Sequence, residues 1–245
     1  MGKHGFPALT LALTVCLAAA GCGGGSGSAK HATTGATTAA ATTSTAPPAT
    51  TTATPPISVT VFRVRHGSLV AVAERVAGTR AVAGASLRAL GLDSRVSIAG
   101  GTATVERADA TPAEVAEIVY TLTQFPSIER VDVAGRTGLT RSDVVAQVPP
   151  ILVERPAAGA TTGPTIAVAG SASVYEATVV LELRQGGKLV QKQVVTAAEG
   201  APARGPFTGT LVAPGAGAYV VAAYSPSAMD GSRQHEQDVP VTVTP

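Results

Sequence analysis

Residues 111–133, TPAEVAEIVYTLTQFPSIERVDV, decide the fold of the first half of the chain. Thr111 stands three residues ahead of Glu114, the spacing at which a threonine hydroxyl accepts from a helical N–H and the glutamate reaches back to the threonine N–H. Pro112 takes the first helical position, where a missing donor loses no intrahelical partner. Val115, Ile118, Val119, Leu122 and Phe125 then recur at helical spacing, so one apolar stripe is expected against a core, with Glu114, Glu117 and Thr121 outside. Pro126 stops the helix, and Ile128, Val131 and Val133 follow as a short strand bounded by Gly135. The unit predicted is a helix lying back on a sheet that it feeds.

Upstream of this unit the pattern is mostly period two. ISVTVFRV alternates from Ile57, with Val59, Val61 and Arg63 on one side and Thr60, Phe62 and Val64 on the other, and LVAVAERV repeats the habit after a His66-Gly67 turn. The spacing predicts a hairpin. RAVAGASLRAL places Ala83, Leu87 and Leu90 on one helical stripe and ends at Gly91, a residue suited to a helix C-terminal cap. RVSI and TATVE, joined through Gly100-Gly101, predict a second hairpin. The order strand, strand, helix, strand, strand, helix, strand makes residues 57–136 an α+β domain, a small sheet with two helices on one face.

The chain opens with Lys3 and His4, an apolar run from Phe6 to Ala20, and LAAAGC ending at Cys22. The run is too short to span a bilayer, and the small residues before the cysteine suit a signal peptidase that cuts there, so residues 1–22 are expected to be a lipoprotein signal peptide. This segment resembles the lipobox of bacterial lipoproteins, which implies acylation of Cys22, including palmitate-type chains, and a lipid-anchored place on the extracytoplasmic face of the cell membrane. Two buried acyl chains hold firmly at about 0.8 kcal/mol per CH₂. The cysteines are Cys16, inside the cleaved peptide, and Cys22, at the anchor, which leaves no disulfide and no cysteine chemistry in the folded part. Residues 23–56 hold no aliphatic residue larger than alanine and are expected to form a disordered Thr/Ala/Pro tether, spanning about 30 to 35 Å as a coil.

Downstream, residues 137–150 mix turn formers and end in Pro149-Pro150, which reads as a stiffened joint. Residues 151–245 contain at least seven strand-like runs with turns between them: ILVERP, TIAVAGSA, YEATVVLELR, KLVQKQVVTA, FTGTLV, AYVVAAYS and DVPVTVT. No helical stripe competes, so an all-β immunoglobulin-like sandwich is expected. In the third run Val179, Leu181 and Leu183 share a face. A turn at Gly186-Gly187 then sets Val190 opposite Leu183 and Val194 opposite Val179, a register that places Lys192 inward unless a bulge intervenes.

FRVRHGSLVAVAERV, ASLRAL, GGTATVE and EIVYTLTQFPSIERVDVAG resemble the GerMN domain of bacterial sporulation and germination lipoproteins, most specifically over residues 117–135. The chain departs from that pattern after Leu90, where GLDS replaces a longer loop. PPILVERPAAGA, VAGSASVYEATVVLELR, RGPFTGTLV and SPSAMDGS resemble the immunoglobulin-like domain that follows GerMN in such proteins. The resemblance implies a non-catalytic envelope interaction module whose partners are the membrane, through Cys22, and an envelope protein or cell-wall glycan. The alternative is a cell-wall hydrolase or glycan-binding protein.

Little in the sequence points to chemistry. The folded part offers His66 in a hairpin turn and His235 in a polar loop; Gly84, Ser86 and Arg88 miss the nucleophile-elbow spacing at its last position, and PGAGAYV precedes a strand where a dinucleotide fingerprint must follow one. Glu114 is accounted for by capping, which weakens a catalytic pairing with Glu117. No cofactor and no metal ligand set is expected. Eighteen basic against sixteen acidic residues, without a basic cluster, argue against nucleic acid. Strand parity places Tyr175 and Ala177 with the inward Val179 and turns Glu176 outward. Together with the loops RGPF and SPSAMDGS this makes Glu176, Arg204, Phe207, Ser225 and Asp230 the candidate partner surface, the alternative being that Glu176 only accepts hydrogen bonds from loop backbone.

Overall fold

The computed structural model describes residues 54–245; the expected signal peptide, Cys22 and most of the tether lie outside the described residues. The described residues fall within one compact unit. Its secondary structure is mostly β-sheet with few helices.

His66 and Gly67 both take left-handed conformations, with φ of 51° and 79°, so β1 (Ile57–Arg65) and β2 (Ser68–Val76) close through a two-residue turn that pairs Arg65 with Ser68. This ribbon is a sheet of its own. α1 (Val82–Ala89) follows and ends at Gly91, whose φ of 84° closes the last turn. β3 (Val96–Ala99) and β4 (Thr102–Val105) form the second hairpin, again through two left-handed glycines, Gly100 and Gly101. In α2 (Pro112–Leu122) the capping box closes as the spacing predicts, Thr111 accepting from the Glu114 N–H and Glu114 from the Thr111 N–H. β5 (Arg130–Val133) then enters parallel to β4, and β6 (Arg136–Leu139) pairs antiparallel with β5. The ladder therefore continues to Leu139, into the stretch expected to be a joint.

In place of one small sheet with helices on a single face, the strands form two, and α2 packs against both β1 and β5. That position buries more of the helix than a single stripe does. Thr121 is fully buried, and its Oγ1 accepts from the Phe62 N–H at 2.9 Å, while half-buried Glu117 accepts from the Val64 N–H at 2.7 Å. Both residues were expected to face solvent. They instead satisfy donors of β1 that no neighbouring strand reaches.

The second half divides into a five-stranded sheet ordered β11-β10-β13-β14-β8 and a three-stranded sheet ordered β12-β9-β7. The strands are β7 (Ile151–Arg155), β8 (Ala160–Thr162), β9 (Thr165–Ala172), β10 (Thr178–Gln185), β11 (Lys188–Thr196), β12 (Gly205–Val212), β13 (Gly217–Pro226) and β14 (Arg233–Val243). All seven runs read from the sequence are present, and short β8 is added, parallel to β14. Ile151, Ile166, Val168, Leu181, Leu183, Leu211 and Val241 fill the space between the sheets. Each such side chain contributes about 1.5 to 3 kcal/mol by leaving water. Tyr219 opens β13 and donates its hydroxyl to the Gly215 carbonyl at 2.9 Å, a tyrosine corner of the kind that immunoglobulin-like sandwiches carry.

The Lys192 conflict resolves through a bulge. Leu183 pairs with Gln191 and Arg184 with Leu189, so Val190 is left over and the register moves by one. Val179 then faces Val195, and Lys192 lies opposite Glu182 on the outer face.

Candidate functional site

The strand ends bring three connections to one pole of the sandwich: residues 173–177 between β9 and β10, 197–204 between β11 and β12, and 227–232 between β13 and β14. The proposed surface residues belong to these segments or flank them, but the structure does not assemble them into one patch. Residues 175–177 form a 3-10 turn, with Glu176 and Ala177 both left-handed at φ of 53° and 54°. Parity therefore fails here, and Tyr175 is 67% exposed where it was expected to point inward. Glu176 is exposed, and its turn is tied to residues 197–201 by hydrogen bonds from Ala197 to the Ala177 carbonyl and from Ala201 to the Val174 carbonyl.

Phe207 is 2% exposed and Ser225 3%, so neither presents a side chain at a surface. The Phe207 ring lies over Gly170, where an added Cβ would come within 2.8 Å of it and 2.1 Å of the Leu152 carbonyl. Asp230 is exposed and caps its own hairpin, its Oδ1 accepting from the Ser232 N–H at 3.0 Å and hydroxyl at 2.7 Å. Those bonds hold its carboxyl below the usual range. Arg204 turns away from the loops: Nη2 donates to the Pro149 carbonyl at 2.6 Å, and Nη1 to the Ser171 carbonyl at 3.1 Å and hydroxyl at 3.2 Å.

Arg204 thereby points to a second region, the junction between the halves. Thr140 and Asp143 form a capping box that starts a 3-10 segment over Arg141–Gln147. Arg141, at its first position, makes two bonds to Glu154 on β7, at 2.8 and 3.0 Å, and one from Nε to Thr123 Oγ1 at 2.9 Å. Its guanidinium carbon sits 4.6 Å from the centre of the Tyr120 ring. Ala158 adds a backbone link, accepting from Ala73 and donating to Ala71, both at 2.9 Å. On either side of the Arg141–Glu154 pair the surface sinks into clefts of about 570 Å³ and 490 Å³. The sequence reading missed Arg141 and Tyr120. The TxxD spacing of residues 140–143 announces the turn, but nothing local announces Glu154 as the partner.

A third charged cluster sits on the outer face of the five-stranded sheet. Glu182 is 2% exposed and accepts from Arg184, from Arg233 at 2.8 and 2.9 Å, and from the Tyr224 hydroxyl at 2.9 Å. Arg233 lies 4.3 Å over the Tyr224 ring. Two arginines and a phenol occupy this carboxylate, so it is built as a brace. Exposed His235 is not in a loop as expected; its φ of 55° falls within β14, where the ladder to β13 is irregular. Among the described residues no group of three or more metal-ligating side chains occurs.

This two-sheet architecture is met by a family match. Residues 150–232 match the model of a family described as the immunoglobulin-like domain of bacterial spore germination. Over these residues the chain is similar to a germination-type immunoglobulin-like domain. No curated protein matches the chain. Among solved structures, an engineered protein is similar at 18% identity over 49% of this chain with a TM-score of 0.30, and the match spans 23% of that protein's length. Fibronectin(III)-like modules of CbhA from Clostridium thermocellum are similar at 24% identity over 38% of this chain and 94% of theirs, with a TM-score of 0.28. CopC from Methylosinus trichosporium OB3b is similar at 26% identity over 37% of this chain and 87% of its own, with a TM-score of 0.25.

Proposed function

We propose that this chain is a non-catalytic interaction module of the bacterial cell envelope, held on the extracytoplasmic face of the membrane by acyl chains on Cys22. In this reading residues 57–136 are an α+β domain of the GerMN kind, residues 23–56 tether it, and residues 151–245 form the immunoglobulin-like half. The match of residues 150–232 to the germination immunoglobulin-like domain carries the reading. The engagement of these carboxylates supports it: buried Glu182 is occupied by two arginines and partly exposed Glu114 by its cap, which leaves neither free to move a proton.

Among the described residues no helix is long and apolar enough to cross a membrane, so on this reading attachment depends on Cys22. Cys22→Ser is expected to accumulate as uncleaved precursor or to leave the membrane fraction. A Cys22→Ser protein that is still acylated and membrane-bound contradicts the anchoring.

A further inference from the structure

The 490 Å³ cleft beside the junction gathers donors that lack an anion. Arg204 is half-buried on its wall, and burial lowers its pKa while leaving it a cation. Its hydrogen bonds go to the neutral oxygens of Ser171 and Pro149, and among the described residues no carboxylate lies within ion-pair distance of it. Those bonds occupy at most three of the five guanidinium N–H groups. Glu154 bears on Arg204 from across the cleft without an ion pair, its oxygens being engaged by Arg141, so desolvation of the guanidinium is only partly offset and an anion brought to the remaining donors recovers the rest.

Tyr120 lines the same cleft. It is 2% exposed, and its hydroxyl makes no hydrogen bond among the described residues. Burial raises its pKa, so the hydroxyl stays protonated and able to donate. Its ring cannot swing away, being fixed between Phe62, with centroids 5.4 Å apart, and the Arg141 guanidinium at 4.6 Å. The hydroxyl is not among the polar atoms that burial leaves unsatisfied, so it is the wet tip of an otherwise buried ring and faces a space large enough for a small ligand.

The charges at this cleft are Arg141 and Arg204 against Glu154, which leaves one positive charge for the ligand to meet. Val145, Pro202 and Pro206 supply apolar wall beside the donors. We propose that this cleft binds a terminal carboxylate carried on a small apolar group, as at the C-terminus of a peptide. Arg204 takes the carboxylate, the Tyr120 hydroxyl donates a further hydrogen bond, and the apolar wall covers the adjoining side chain. This assignment rests on the reading of the chain as a binding module.

The test is calorimetric titration of the chain lacking residues 1–22, whose two hydrophobic clusters lie wholly within residues 57–243. The probes are N-acetyl-alanyl-alanine, the same dipeptide as its C-terminal amide, and inorganic phosphate. The acid is expected to bind saturably, at least about tenfold more tightly than the amide, since the charge-assisted bonds are worth about 1.4 kcal/mol or more. Tyr120→Phe is expected to weaken the acid about three- to tenfold at unchanged melting temperature, and Arg204→Lys to weaken it more. Equal binding of acid and amide, no saturation by the acid, or an unaffected Tyr120→Phe variant overturns the proposal. Phosphate binding as tightly as the acid overturns the carboxylate assignment. Any of these results leaves the anchored-module reading standing, because that depends on the fractionation of Cys22→Ser.

Discussion

Arg141 grips Glu154 through two hydrogen bonds of 2.8 and 3.0 Å, and this pair joins the segment after the first sheets to the first strand of the sandwich. Both side chains retain some exposure, at 32% and 22%, so the gain from the charges is reduced by solvent. A double-mutant cycle with Arg141→Ala and Glu154→Ala is expected to give a coupling of about 1 kcal/mol. The Arg141 single variant is expected to lose more than the Glu154 variant, because it also uncovers Tyr120 and frees Thr123. A coupling near zero in urea titrations means that the contact holds nothing together.

The helix that opened the sequence reading makes a second, sharper expectation. Thr121→Val keeps the shape but removes the acceptor for the buried Phe62 N–H, which costs about 1 to 3 kcal/mol. Val119→Asp places an unpaired carboxylate at a fully buried position and is expected to cost several kcal/mol. Thermal melts of both variants check the ranking, and a Thr121→Val protein as stable as its parent contradicts the buried role of that hydroxyl.

Acid stability follows from the capping boxes. The Thr111 backbone N–H, then its hydroxyl, hold the Glu114 carboxyl below its ordinary value of 4.5, with Arg107 adding to the shift. Thr140 lowers Asp143 in the same way, its hydroxyl first. A carboxyl lowered in the folded state stabilises the fold above its unfolded pKa, and the gain disappears as pH falls through the folded value. Asp238 runs the other way: burial, then Glu236, raise it, so its ionised form opposes folding at neutral pH and acid relieves that cost. In urea midpoints measured from pH 3 to 7, Glu114→Gln is expected to flatten the loss below about pH 4.5. Asp238→Asn is expected to raise the midpoint at pH 7. Unchanged pH profiles contradict both assignments.

What the sequence disclosed was local. Thr111-x-x-Glu114, the His66-Gly67 and Gly100-Gly101 turns and Gly91 each specify backbone geometry within a few residues, and all appear where they were read. Expectations failed where a distant element or a local break in the period intervened. Thr121 looked solvent-facing because helical parity ignores β1, fifty-nine residues away in the chain, whose Phe62 N–H needs an acceptor. Lys192 looked inward because a period of two has no place for the extra residue at Val190. Tyr175 was misplaced because strand parity was carried into a left-handed turn. The junction was illegible for the same reason: Arg141, Tyr120, Glu154 and Arg204 come from four separate stretches, and only the approach of β2 to β7 and of the 3-10 segment to α2 brings them to neighbouring cleft walls.

On the proposed function, this chain binds in the envelope without turning anything over. The most direct measurement incubates the chain lacking residues 1–22 with isolated cell envelopes, then follows its retention in the sediment alongside the release of soluble wall fragments. Saturable retention with fragment release no higher than in a protein-free control is the predicted result. Release of wall fragments that continues with time and scales with protein concentration contradicts it and makes the chain a hydrolase.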